Sequence, residues 1–221
     1  MAARNLFSEE LNRLRHDILT MATMVEENIG KALAALKTGN AELAKEARGD
    51  DAEVDALQYK IEDDAAIIIA TQQPVARDLR ELVTIFKLTS NIERVGDHAA
   101  HLARAAKKLT KSGDSSFRAQ GHIEKMAETG QKMLRDAISA FMTQDAQAAR
   151  EAAALDNKID AEHEIVTEDI LKLMKKNPDL VKGALQILHT SNQLERLGDH
   201  ITNICEAIIY MTEGKHEELN E

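Results

Sequence analysis

Four pairs of acidic residues stand four positions apart in this chain: Asp51 and Asp55, Glu93 and Asp97, Asp156 and Asp160, Glu195 and Asp199. On a helix, residues i and i+4 share a face with their backbones about 6 Å apart. The usual partner of an acid at that spacing is a Lys or Arg, because two like charges so placed repel. A cation held between them removes the repulsion. All-oxygen ligand sets suit hard or borderline metals, so Fe, Mn, Zn or Mg in carboxylate clusters is the chemistry these residues predict. The bland alternative is a solvated acidic face with chance spacing.

Two of the pairs lie in a repeated octapeptide. Asn91-Ile92-Glu93-Arg94-Val95-Gly96-Asp97-His98 returns 102 residues later as Gln193-Leu194-Glu195-Arg196-Leu197-Gly198-Asp199-His200, and Asp51/Asp55 return as Asp156/Asp160 at an offset of 105. A repeated Gly-Asp-His context is more than a charge pattern. The offsets require three fewer residues around the second of two Pro breaks, where a shorter loop is inexpensive. Each pair lies beside an apolar stripe, about 100° round the helix per residue, so the pairs on neighbouring antiparallel helices converge into patches of four. The bundle di-iron signature Glu-x-x-His is absent, since Gly follows both Glu93 and Glu195 at i+3. His98 and His200, at i+5, are expected at the surface or behind the ligands. Gly96 and Gly198 require a reason inside a helix, either close approach of another group or tight helix contact.

The elements that must position these residues read as helices. With 43% hydrophobic residues, 3% aromatic, no Trp and two Pro, the composition favours an aliphatic-cored all-α protein. A net charge of -10 argues against nucleic acid as a partner. One Cys, Cys205, forbids an internal disulfide and reads as a core thiol. The longest apolar run, Ala65 to Ala70, is too short to span a bilayer, and residues 1–10 show no apolar leader segment. A cytoplasmic protein without membrane insertion is the expectation.

Helix 1 is predicted from Ser8 as N-cap, through Leu11, Leu14, Ile18, Met21, Val25 and Ile29, to a Gly39 stop. Asn40 caps a second helix over 41–71, with Gly49 as a point of bending. Pro74 precedes a third over 75–108. Ser112 to Ser116 form a linker, and the pattern restarts over 117–141, 146–175 and 179–211. This predicts two tandem antiparallel three-helix bundles, residues 1–112 and 113–221. Arg77 and Arg80 open the third helix, where basic residues oppose the macrodipole; they are either exposed or bind a phosphate or a partner's acid.

The run Gln72-Gln73-Pro74-Val75-Ala76-Arg77-Asp78-Leu79-Arg80, with Glu93-Arg94-Val95-Gly96-Asp97-His98 and Glu195-Arg196-Leu197-Gly198-Asp199-His200, resembles the PhoU family of phosphate-signalling regulators over nearly the whole chain. The resemblance implies tandem three-helix bundles whose Glu/Asp-x-x-x-Asp motifs hold multinuclear metal clusters at the eight acids above. It also implies a non-enzymatic negative regulator of phosphate-starvation signalling, acting on the ATPase of the phosphate ABC transporter and on a sensor histidine kinase. The second unit departs from the pattern, with Asn177-Pro178-Asp179-Leu180 in place of the fuller run. The long apolar edges predict a homodimer. A competing reading makes the clusters a hydrolase or redox centre, since carboxylate-held metals activate water; nothing in the chain nominates a nucleophile.

Overall fold

The structure is a computed structural model that describes the backbone of residues 2–49, 51–112 and 119–220, and their side chains except those of residues 2–5, 48, 49, 51, 107–112, 119, 120 and 178. The described residues form helices α1 (Ala2–Thr38), α2 (Ala41–Gly49), α3 (Asp51–Gln72), α4 (Ala76–Ser112), α5 (Ala119–Thr143), α6 (Ala146–Ala153), α7 (Asp156–Lys176) and α8 (Val181–Glu213), with a 3-10 turn at Pro178–Leu180 before α8. No strand occurs among them. The first bundle is α1, α2/α3 and α4; the second is α5, α6/α7 and α8. Of the predicted linker Ser112 to Ser116, Ser112 is still helical as the last residue of α4, and the rest, with the boundary at 112/113, falls on a segment (113–118) outside the described residues.

The apolar stripes do what their period demands. Leu11, Leu14, Ile18, Met21, Val25 and Ile29 are buried on α1, Leu82, Ile85, Leu88, Ile92, Val95 and Leu102 on α4, and Leu194, Leu197, Ile201, Ile204 and Ile208 on α8. Cys205 is buried among them, and burial pushes its thiol up to about 12. Gly39 turns left-handed at φ 69° and its N–H donates to Ala35 O at 2.8 Å. Asn40 Oδ1 then accepts from Glu42 N at 3.0 Å and caps α2.

Two expectations need correction. Ser8 does not cap α1, which begins at Ala2; Phe7 packs on the core, so the buried stripe extends past the supposed start. Over the second predicted helix, residues 41–49 and 51–72 are helical, with residue 50 outside the described residues. The helix over 146–175 breaks at Ala154-Leu155, where no Gly or Pro announces it. That break makes the first acid of a pair, Asp156, the opening residue of the helix that follows.

The bundles meet along α4 and α8. Thr84 bonds to Ala207 O, Asn91 to His200, His98 to Gln193, and His101 rests edge-on against His189. Numbers rising on α4 match numbers falling on α8, so the two helices are antiparallel. The Asn91–His200 and His98–Gln193 contacts are copies of each other under the 102-residue repeat, which is a pseudo-two-fold relation. On a second face α1 runs antiparallel to α5, with Arg135 Nε donating to Glu26 at 2.9 Å and Gln131 Nε2 donating to Glu26 O at 3.2 Å.

Within the first bundle, Arg15 holds Glu81 with Nε at 2.5 Å and Nη2 at 2.9 Å, joining α1 to α4. The Glu81 side chain is only 4% exposed. Removing the cation strands a buried carboxylate, so Arg15→Ala should destabilise the fold by about 3 kcal/mol. Urea denaturation of the variant beside wild type measures the loss.

Candidate metal centre

The second bundle gathers its four predicted acids. Asp156 opens α7, Asp160 follows one turn on, and Glu195 and Asp199 come from α8. Asp156 is 7% exposed. Its Oδ2 accepts from Thr202 Oγ1 at 3.0 Å, and its Oδ1 is buried with no hydrogen-bond partner. A Cβ on Gly198 would stand 2.0 Å from that oxygen and 3.1 Å from Ile159 Cδ1. The helical glycine is therefore the space in which the carboxylate lies against the α8 backbone. What packs close to Gly198 is the acid itself.

The electrostatics follow from this burial. Asp156 opens a helix, where the macrodipole favours an anion, yet burial outweighs that and, with the charges of Asp160, Asp199 and Glu195, pushes its pKa up to about 7; the Thr202 bond opposes the rise. Asp160, Glu195 and Asp199 are also raised, in each case first by burial, with the Asp199 charge adding to it at Asp160 and Glu195. His163 counteracts the rise at Asp160 and Glu195, and its Nδ1 lies 2.8 Å from Ser191 Oγ. Thr202 and His163 belong to the site without having been expected there. His163 lies seven residues after Asp156 and three after Asp160, a spacing that marks the same face of α7.

The first bundle is built to the same plan. Asp51 is the first described residue of α3, and its side chain lies outside the described residues. Asp55 is half-buried on the same helix. Glu93 and Asp97 flank Arg94, whose Nε is 3.3 Å from Glu93 and whose Nη1 is 2.9 Å from Asp97. Where the second bundle has His163 on Ser191, the first has Thr89 Oγ1 and Gln58 Nε2 donating to Glu62 Oε1, at 3.2 and 2.8 Å. Among described neighbours, a Cβ on Gly96 would meet Val25 Cγ2 at 3.4 Å, an ordinary contact.

As they stand, no three His, Cys, Asp or Glu side chains among the described residues close into a group of metal-holding size. The second patch nonetheless fits a cation on two counts: an orphaned buried carboxylate oxygen, and a glycine cradle that brings it there. Unpaired buried oxygens carry a desolvation cost that a proton or a metal offsets.

Of the two histidines expected at the surface or behind the ligands, His98 is buried and His200 half-buried where the bundles meet. His98 Nδ1–H donates to Gln193 Oε1 at 2.9 Å, His200 Nδ1–H donates to Asn91 Oδ1 at 3.0 Å, and the rings stack with centroids 5.4 Å apart. They pin one octapeptide to the other, and burial lowers both pKa values. Arg77 and Arg80 reach the second bundle. Arg77 Nη2 donates to Gln144 Oε1, and Arg80 Cζ lies 3.5 Å from where a Cβ on Gly214 would be.

Comparison with known proteins places these features. The PhoU domain matches residues 18–106 and again 123–208. The phosphate-specific transport system accessory protein PhoU homolog of Clostridium acetobutylicum is 32% identical over 99% of this chain and 99% of its own length. The homolog of Pseudomonas putida is also 32% identical, over 94% of this chain and 81% of its own length. Among solved structures, PhoU from Pseudomonas aeruginosa superposes with a TM-score of 0.90 at 32% identity, covering 95% of this chain and all (100%) of that one. The phosphate transport system regulatory protein PhoU from Streptococcus pneumoniae superposes at 0.87 with 31% identity, covering 96% and 99%.

Two outcomes follow from the second patch. Gly→Ala inside a helix ordinarily gains up to about 1 kcal/mol; Gly198→Ala should instead destabilise, because its Cβ collides with Asp156, and adding Asp156→Ala should restore much of the loss in a double-mutant cycle read by thermal melting. In metal-free protein, a folded pKa near 7 against an ordinary 3.8 means the protonated form is favoured by folding. That contribution is complete below about pH 4 and is lost as pH rises through 7, so the melting temperature should fall over this window, and Asp156→Asn should flatten the profile.

Proposed function

Because the chain belongs to the PhoU family, we propose that it regulates phosphate uptake and represses phosphate-starvation signalling as a metal-carrying helical adaptor rather than as an enzyme. The observation that carries the metal part is the buried, unpartnered Asp156 Oδ1 set against Gly198 among three further carboxylates. Asp156, Asp160, Glu195 and Asp199 would hold one cluster, and Asp51, Asp55, Glu93 and Asp97 the other. Fe, Mn, Zn and Mg are the metals whose preference for oxygen ligands suits these sets. When bound, the metal supplies positive charge to oxygens that otherwise repel each other.

The regulatory part is supported by the relatives, which carry the name of phosphate-specific transport system accessory proteins. Its partners in this reading are the ATPase of the phosphate ABC transporter and the phosphate-sensing histidine kinase, met in the cytoplasm. No helix among the described residues is long and apolar enough to cross a membrane, which fits a partner that docks on membrane proteins from one side. The exposed apolar residues Leu79 and Val83 of α4 lie near its start with the exposed Arg77, and exposed Val75 precedes the helix. They are candidates for partner contact, and a second copy of the chain is the remaining partner proposed.

Protein purified without an affinity metal should carry metal by elemental analysis, and Asp97→Ala with Asp199→Ala should reduce the content by at least about half, since each removes one ligand of a cluster. Deleting the gene should derepress phosphate-starvation genes in rich phosphate. Metal-free wild type would reject the metal part, and normal repression in the deletion strain would reject the regulatory part.

A further inference from the structure

The segment after α8 runs back along its own helix. α8 stops at Gly214, which turns left-handed at φ 72° and donates its N–H to Tyr210 O at 2.9 Å. The reversal then has four successive anchors. His216 stacks on Tyr210 with ring centroids 4.3 Å apart and an interplanar angle of 10°. Arg150 of α6 forks onto Glu213 (3.0 and 2.9 Å) and Glu217 (2.7 Å), tying both sides of the reversal to the second bundle. Leu219 N–H donates to Glu206 Oε1 at 2.8 Å while the Leu219 side chain packs against the core. Asn220 Nδ2 reaches Asp199 Oδ1 at 3.4 Å, a long contact at the rim of the carboxylate patch. The segment lies beyond residue 208, where the second PhoU domain match ends.

We propose that Gly214–Asn220 is a strap that gates cation exchange at the second carboxylate patch, with Arg150 as its latch. The inference rests on the metal reading above. A strap that touches Asp199 obstructs one side of the patch, and a cation entering or leaving by that side requires it to lift. The latch suits the task, because its ion pairs are partly exposed to solvent and so weaken as salt rises. Leu219 and the Tyr210–His216 stack set the closed position. Asn220 also matches the ligand class. Its amide presently donates to Asp199, and a half-turn of the side chain would offer its carbonyl oxygen, a ligand that hard cations accept. The strap thus has one contact for the patch without a cation and another for the patch with one.

The gate is tested by kinetics on the full chain. An Asp55→Ala/Asp97→Ala background confines bound metal to the second patch. Protein loaded with Mn2+ is freed of excess ion and mixed with EDTA, and loss of metal is followed in time. Deleting residues 215–221 and, separately, Arg150→Ala should each speed release at least about fivefold while the amount of Mn2+ bound stays the same. The Leu219 amide, protected by Glu206, should exchange hydrogen faster in Arg150→Ala than in the background protein. A background protein that binds Mn2+ but releases it at one rate with or without the strap overturns the gate. Failure of the unmutated chain to bind Mn2+ at all overturns the metal reading instead; in that case equal Leu219 exchange with and without Arg150 also overturns the latch.

Discussion

Burying a carboxylate against a helix backbone is the constraint on which the second bundle turns. Asp156 is placed there by a break at Ala154-Leu155 that makes it the opening residue of α7, and Gly198 leaves the room it occupies on α8. Thr202 satisfies one oxygen and nothing among the described residues satisfies the other. An ionised, half-satisfied carboxylate in such a place is costly. The charge must be removed by a proton, which the raised pKa makes available near neutrality, or matched by a cation. Small residues elsewhere serve the same close fit. A Cβ on Gly130 of α5 would come within 2.6 Å of Leu197 Cδ2, so α5, α7 and α8 approach at glycines on two sides of the same turn of α8.

The repeat then explains why the patches lie where they do relative to each other. Each octapeptide carries its acids on one face and, at its two ends, the polar residues that bond to the other copy: Asn91 to His200 and His98 to Gln193. The same helical segments therefore build a cluster and join the bundles. The two halves are not equivalent. Arg94 ion-pairs with both Glu93 and Asp97, whereas Asp199 is approached by Asn220 from the strap. Matching acids in the two copies thus have different local partners.

Much of this was legible from the chain. The 3.6-residue stripes of α1, α4 and α8 needed no tertiary context, and Gly39 and Asn40 announced a helix stop and a cap by their backbone chemistry alone. The break before Asp156 was not legible from local propensity, because Arg150 to Leu155 is a run of good helix formers. Ser8 misled because a capping residue sits inside a helix when apolar residues before it, here Phe7, still find a core. The roles of Thr202, His163, His98 and His200 depend on the register between helices, which a single helix period does not contain. The strap depends on Arg150 and Glu217, 67 residues apart, and no repeat or stripe points to that pairing.

The account's central claim is that Asp156 is held at Gly198 to serve a cation together with Asp160, Glu195 and Asp199. Crystals of the full chain grown after loading with Mn2+ or Fe, with diffraction data collected above and below the metal's absorption edge, test it directly. The account predicts an anomalous peak within bonding distance of Asp156 Oδ1, flanked by at least two of the other three carboxylates. A map with no peak beside α7 and α8, and Asp156 Oδ1 satisfied instead by a water or left protonated, would contradict it.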